Sequence, residues 1–127
     1  MNKIPPFLIA GIWAIFILIV STVGVGVNLP NTLSDIISWD KVAHAFVYFV
    51  LAYFLFKGFQ AKTSNRKSNI YAFLISAGYG ILMEIIQYSF FPNRYFEFLD
   101  ILANIVGTIA SLSFIYFLII KKSQSYG

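Results

Sequence analysis

The chain has 127 residues, of which 59% are hydrophobic, 19% aromatic and only 11% charged; its formal net charge is +4 and it contains no cysteine. Its mean hydropathy is +0.79. Because a soluble domain carries about 25% charged residues, this composition excludes a soluble enzyme, a disordered chain and a nucleic-acid-binding domain. We therefore expect an integral membrane protein in which residues 1–127 form one domain.

Four apolar stretches are long enough to cross a bilayer, which takes about 20 helical residues. We predict membrane spans at about residues 7–27, 41–59, 70–91 and 98–120. The first stretch exceeds the roughly 7–15 apolar residues of a signal peptide and lacks an Ala-x-Ala-like cleavage site, so we interpret it as a retained helix. The expected fold class is all-α, an integral membrane four-helix bundle.

Two connections between the spans have distinct compositions. Residues 61–68 form a short polar and basic loop, which we interpret as an inner topology anchor. Residues 28–39 carry apolar side chains at offsets of three, four and six from Leu33. This spacing predicts a short amphipathic helix that connects the first two spans along the outer membrane surface.

The basic residues predict the orientation of the bundle. Seven of the nine fall on the side shared by both termini and the second loop, namely Lys3, Lys57, Lys62, Arg66, Lys67, Lys121 and Lys122. Since cytoplasmic loops carry an excess of lysine and arginine, both termini should be cytoplasmic. The acidic residues lie on the opposite side: Asp35, Asp40, Glu84, Glu97 and Asp100. The orientation rule does not explain this second separation, which is the first indication of a functional site.

The second span begins with polar residues at a helical spacing. Asp40, His44 and Tyr48 are four residues apart, which places them on one helix face about 6 Å from one another along the axis. Taken alone, Asp40 suits a position in the first turn of a helix, where it satisfies free amides. A membrane histidine one turn deeper requires a partner or a function.

The last two spans carry polar residues at a similar depth. Glu84 and Gln87 share a face of the third span, with Glu84 about 9–10 Å from its outer end. Asp100 and Asn104 are four apart in the fourth span, and Arg94 lies in the loop between the two. Small residues that permit close helix packing accompany these positions: Ser76, Ala77, Gly78, Gly80, Gly107 and Ser111. We interpret Glu97 as solvated or interfacial.

With this topology, the polar residues of three helices face the same outer depth. If these residues form one cluster, they satisfy one another's hydrogen bonds, which costs less free energy than burying each of them with a separate partner. We therefore expect a single outer site, with a purely structural hydrogen-bond network as the alternative. Within it we expect Arg94 to pair with Asp100, and Glu84 with His44.

The motifs of these three helices resemble those of the VanZ-like family of bacterial membrane proteins. The resemblance covers roughly residues 40–111 and rests on Asp40-Lys41-x-x-His44-x-x-x-Tyr48, Glu84-x-x-Gln87, Pro92-x-Arg94 and Asp100-x-x-x-Asn104-x-x-Gly107. It implies a role in the cell envelope and a multi-pass location in the bacterial cytoplasmic membrane. The namesake of the family is associated with low-level resistance to teicoplanin, a glycopeptide antibiotic; the resemblance identifies no reaction.

Two functions follow as hypotheses. The first is a site that binds a lipid-linked or headgroup-bearing envelope molecule through Asp40, Lys41, Tyr48, Gln87, Arg94 and Asn104. The second is an enzyme in which His44, Glu84 and Asp100 act as general acid and base. The one histidine and three acids could also hold a divalent metal ion, but no HExxH or comparable ligand spacing occurs, so no metal or cofactor is expected.

Two further alternatives bear on the same residues. A transporter would need a polar path through the inner halves of the helices, which are nearly uncharged. A small scaffold or partner subunit would use the polar cluster only to fix helix packing. The expected partner is a membrane lipid or lipid-linked molecule and not nucleic acid, and the sequence does not indicate the oligomeric state.

Overall fold

A computed structural model describes residues 4–23, 39–91 and 95–125 of the chain. These residues form four α-helices: α1 (Pro6–Val23), α2 (Trp39–Gln60), α3 (Asn65–Phe90) and α4 (Phe98–Ser125). All four are long and apolar enough to cross a membrane. The predicted all-α fold with four spans is therefore confirmed. Residues 24–38, which include most of the predicted amphipathic connection, lie outside the described residues.

The third helix begins earlier than hydropathy predicts. The sequence placed residues 65–68 in a polar loop, but they form the first turn of α3. Ser64 has an extended backbone and its Oγ accepts a hydrogen bond from the Lys67 backbone N–H at 3.4 Å, which is the geometry of a helix N-cap. Similarly, α4 continues beyond residue 120 through Lys121 and Lys122, whose charges suit a helix C-terminus.

Helix α2 lies at the centre of the bundle and contacts α1, α3 and α4. Helix α1 packs on α2 and α3, and no contact between α1 and α4 is found among the described residues. Three side-chain hydrogen bonds to backbone carbonyl groups hold α1 against its neighbours. Trp13 of α1 donates to Val47 of α2 at 2.8 Å; Tyr79 and Gln87 of α3 donate to Ala14 and Ser21 of α1 at 2.7 and 2.8 Å. Each of these bonds joins two helices within an apolar environment.

The outer surface of the bundle is apolar along all four helices. Large exposed hydrophobic side chains include Ile12 on α1, Phe46 on α2, Leu74 on α3 and Phe117 on α4. The buried interior mixes apolar residues such as Phe56 and Ile115 with hydroxyl and amide side chains. Apolar side chains outside and polar side chains inside are typical of a membrane protein, because the lipid chains that surround it are themselves apolar.

Small residues bring α2, α3 and α4 close together. Gly107 of α4 meets the backbone of Ala45 in α2, and Gly80 of α3 lies against the side chains of Asn104 and Tyr48. These contacts confirm the packing role predicted for Gly80 and Gly107. The same prediction is wrong for Gly78, which is exposed and has no heavy atom within 4 Å of the position its Cβ would take.

Candidate functional site

The polar residues of three helices meet at one end of the bundle, where α2 and α4 begin and α3 ends. We call this the polar end. Glu84 of α3 is 2% exposed, and Asp100 and Asn104 of α4 are 6% and 2% exposed. Buried carboxylates in a membrane protein require partners, and α2 supplies the neighbouring lysine and histidine.

Lys41 connects three carboxylates at the polar end. Its Nζ donates to Glu97 Oε2 at 2.7 Å and to Asp100 Oδ1, and it lies 3.5 Å from Asp40 Oδ2. The Lys41 side chain is only 14% exposed. The lysine thus joins the start of α2 to the start of α4, although the sequence predicted Arg94 as the partner of Asp100. Arg94 itself lies outside the described residues.

His44 lies one turn further along α2 and contacts two residues of α4. Its Nδ1 is 3.0 Å from Asn104 Oδ1. Its Nε2 is 3.7 Å from Asp100 Oδ2 and 3.9 Å from Asp40 Oδ1. Because an amide oxygen only accepts hydrogen bonds, the bond to Asn104 places a proton on Nδ1.

Glu84 borders this cluster and is buried. Its Oε2 accepts a 3.4 Å hydrogen bond from the Glu97 backbone N–H. Among the residues that the structure describes, no lysine, arginine or histidine forms an ion pair with Glu84. The predicted pair of Glu84 and His44 is therefore wrong, because the ring of His44 faces Asn104 and the two aspartates instead.

Tyr48 lies at the edge of the cluster, whereas Gln87 faces α1. Tyr48 is 1% exposed, and its hydroxyl has no hydrogen-bond partner within the described parts of the chain. Gln87 donates its Nε2 to the carbonyl oxygen of Ser21, which ties α3 to α1. The structure thus brings seven of the predicted residues to the polar end or its border: Asp40, Lys41, His44, Tyr48, Glu84, Asp100 and Asn104.

Three residues of this network were not predicted as part of it. Glu97 was interpreted as solvated or interfacial, and its side chain is indeed exposed, but it also binds Lys41 through its side chain and Glu84 through its backbone. Ser76 and Thr108 share a 2.8 Å hydrogen bond between α3 and α4, and Thr108 also donates to the Asn104 carbonyl oxygen at 3.0 Å. For Thr108 the sequence did contain a signal, because it follows Asn104 by four positions and therefore lies on the same face of α4.

The electrostatic character of the cluster follows from these residues. Asp40, Glu84, Glu97 and Asp100 supply four carboxylates, and Lys41 is the one lysine or arginine of the described residues that pairs with them. The Lys41 ammonium is already surrounded by carboxylates, which leaves little of its charge for an anionic ligand. The arrangement therefore favours groups that donate hydrogen bonds or carry positive charge.

Fold and site together define a small multi-pass helical membrane protein with a polar cluster at one end of its bundle. A family model described as VanZ/LLP1 matches residues 7–121, and the chain belongs to this family. The match confirms the family suggested by the sequence motifs and extends it to α1. A search of curated proteins and a search of solved structures found no match.

Proposed function

We propose that the protein binds the headgroup of a lipid or lipid-linked molecule of the bacterial cell envelope. The site is the polar end, which we place at the outer leaflet of the cytoplasmic membrane on the basis of the charge distribution in the sequence. The observation that carries the proposal is the combination of this buried polar cluster with an apolar groove beside it.

The groove runs between α2 and α4 and has a volume of about 370 Å³. Its lining is entirely apolar and consists of Ala45, Phe46, Phe49, Val106, Gly107 and Ala110. Ala45 follows His44 directly in α2, and Val106 lies two residues after Asn104 in α4. A ligand with a polar head and a hydrocarbon chain matches this juxtaposition, because the chain can occupy the groove while the head reaches the cluster.

Access to the cluster supports the same function. The side chains of Asp40 and Glu97 are 58% and 53% exposed, whereas that of Asp100 is 9% exposed. Exposed carboxylates at the rim can meet a headgroup that arrives from the membrane interface. Sugar hydroxyl and amine groups are the headgroup chemistry that these acceptors bind best. His44 beside Asp100 supplies the acid–base pair that a modification of the bound molecule would need.

A structural role for the cluster is the second candidate, and the interhelical hydrogen bonds favour it. His44 and Asn104 join α2 to α4, and Ser76 and Thr108 join α3 to α4. If these bonds only fix helix packing, a change at the polar end should lower the amount of folded protein. In the binding role, the same change removes the ligand from a protein that remains folded.

Native mass spectrometry of protein purified in mild detergent tests the proposal. We expect a lipid adduct on the wild-type chain that is lost in Lys41→Gln, because Lys41 positions the carboxylates that accept from the headgroup. Lys57→Gln is the matched control, because it makes the same change on the same helix near its other end, where Lys57 donates to Gln60 at 3.3 Å. Thermal unfolding in the same detergent separates the two candidates. Equal adducts on both variants, or an adduct lost only in step with folded protein, would contradict ligand binding.

We also propose that the protein lowers the susceptibility of its host to glycopeptide antibiotics, which its family membership supports. We expect expression of the wild-type chain to raise the teicoplanin concentration that inhibits a susceptible Gram-positive host. Lys41→Gln should abolish the increase, and Lys57→Gln should retain it. Unchanged susceptibility with wild-type protein present in the membrane would confine the function to lipids outside glycopeptide action.

A further inference from the structure

We propose that Asp40, His44 and Asp100 form a binding site for one divalent transition-metal ion. Each residue offers one ligand atom, and the three atoms lie within 4.8 Å of one another. The site goes beyond the proposed function, because it stands on the geometry of these three side chains and its test requires no lipid.

The distances from His44 Nε2 to the two aspartates are too long for hydrogen bonds and close to the separation of two ligands on one metal ion. His44 Nε2 lies 3.7 Å from Asp100 Oδ2 and 3.9 Å from Asp40 Oδ1, too far for a hydrogen bond to either. Two ligands bound at about 2.0–2.2 Å to one zinc ion are roughly 3.3–3.8 Å apart. Small movements of the exposed Asp40 side chain bring all three atoms to that separation.

Asn104 holds the imidazole in the orientation that a metal ligand needs. Its Oδ1 lies 3.0 Å from His44 Nδ1 and accepts the proton of that nitrogen. In the neutral ring with its proton on Nδ1, the lone pair of Nε2 faces the two aspartates. Metal-binding histidines commonly donate their other N–H to an oxygen acceptor in this way. Asn104 is 2% exposed, so its amide is fixed by packing.

Lys41 organises the two aspartates by binding one oxygen of each. It contacts Asp100 Oδ1 and lies 3.5 Å from Asp40 Oδ2. The other oxygens, Asp100 Oδ2 and Asp40 Oδ1, are the atoms nearest His44. Each carboxylate therefore divides its oxygens between the ammonium group and the proposed ion.

Charge and ligand type identify the ion. Among the described residues, the cluster contains four carboxyl groups and one lysine, so a divalent cation would balance part of the acidic charge. One imidazole and two carboxylates suit Zn²⁺ or Mn²⁺ better than Ca²⁺ or Mg²⁺, which prefer oxygen ligands alone. Three protein ligands leave a position for water or an anionic oxygen. No contiguous ligand motif marks this site in the sequence, because Asp100 lies 56 residues beyond His44.

Calorimetric titration of the chelator-treated protein in detergent with Zn²⁺ alone tests the site, with a purification tag that contains no histidine. We expect one ion per wild-type chain, and loss of this binding in His44→Gln and in Asp100→Asn. Glu97→Gln is the matched control and should retain one ion, since Glu97 also binds Lys41 but is not a proposed ligand. Asn104→Ala should weaken binding by about 10–100-fold, as expected for a residue that positions a ligand.

A second measurement needs no variant. The chain contains a single histidine, so pulsed electron paramagnetic resonance of the Mn²⁺-loaded wild-type protein can assign a coordinated imidazole to His44. We expect nitrogen modulation that Zn²⁺ abolishes by displacing the weaker-binding Mn²⁺. Absence of this modulation would overturn the proposal. Equal Zn²⁺ binding by wild type, Asp100→Asn and Glu97→Gln would also overturn it, because that result indicates diffuse attraction to the acidic cluster.

Discussion

Gly107 of α4 lies so close to the carbonyl oxygen of Ala45 in α2 that a Cβ atom on residue 107 would overlap it. The obstacle is backbone, which cannot move aside as a flexible side chain can. This contact fixes the separation of the two helices that carry Lys41, His44, Asp100 and Asn104. The geometry of the polar end therefore depends on a glycine that bears no chemistry of its own.

We expect Gly107→Ala to lower the free energy of unfolding by at least about 1–3 kcal/mol, because the added methyl group forces α2 and α4 apart. Thermal unfolding in detergent measures the change. Gly78→Ala is the control: its new Cβ meets nothing within 4 Å, and alanine favours the helix by about 0.5–1 kcal/mol. Equal stability of the two variants would contradict the close approach of α2 and α4.

Lys41 and Asp100 should be energetically coupled. Both side chains are mostly buried, and each would lose its closest charged partner if the other were replaced. In a double-mutant cycle with Lys41→Met and Asp100→Asn, we expect a coupling energy of about 1–3 kcal/mol in unfolding measurements. Effects of the single variants that add to within about 0.5 kcal/mol would show that the ion pair does not form in the membrane.

The Tyr48 hydroxyl gives a test of a different kind. It is buried and has no hydrogen-bond partner among the described residues, and such a group costs about 1–3 kcal/mol when it stays unsatisfied. We expect Tyr48→Phe to retain or increase thermal stability in detergent. A loss of more than about 1 kcal/mol would mean that the hydroxyl has a partner in the folded protein.

The orientation of the chain stays a prediction that reporter fusions can check. Seven basic residues on one side and two on the other predict that both termini lie in the cytoplasm. A C-terminal fluorescent protein that folds only in the cytoplasm should be bright, and a C-terminal phosphatase that needs the oxidising exterior should be inactive. The opposite result would move the polar end to the cytoplasmic face.

The sequence predicted the positions of the helices more accurately than the contacts between their polar side chains. Hydropathy located α2 to within two residues at each end, because a membrane span must be apolar throughout. It missed the first turn of α3, whose polar residues depend on the Ser64 cap. A cap is a local hydrogen bond that an average over twenty residues does not detect.

The residues of the candidate site could be predicted because ionisable groups in membrane helices are rare and costly. Which of these residues pair with one another could not be predicted. Helical spacing places His44 and Glu84 at similar depths, but the rotation of α2 against α4 decides that His44 faces Asn104. Lys41 was assigned to a ligand, and only the approach of α4 shows that it binds Asp100 and Glu97.

The variant Glu84→Gln tests whether the Glu84 carboxylate has a functional or a structural role. Glu84 is 2% exposed, accepts one 3.4 Å bond from the Glu97 backbone, and forms no ion pair with the described basic residues. Glutamine keeps its shape and can still accept that bond, so we expect normal abundance and unchanged thermal stability. If Glu84 contacts the bound headgroup, the lipid adduct seen by native mass spectrometry should disappear. A stable Glu84→Gln protein with an undiminished adduct would remove Glu84 from the site, and a destabilised one would assign it to the packing of α3.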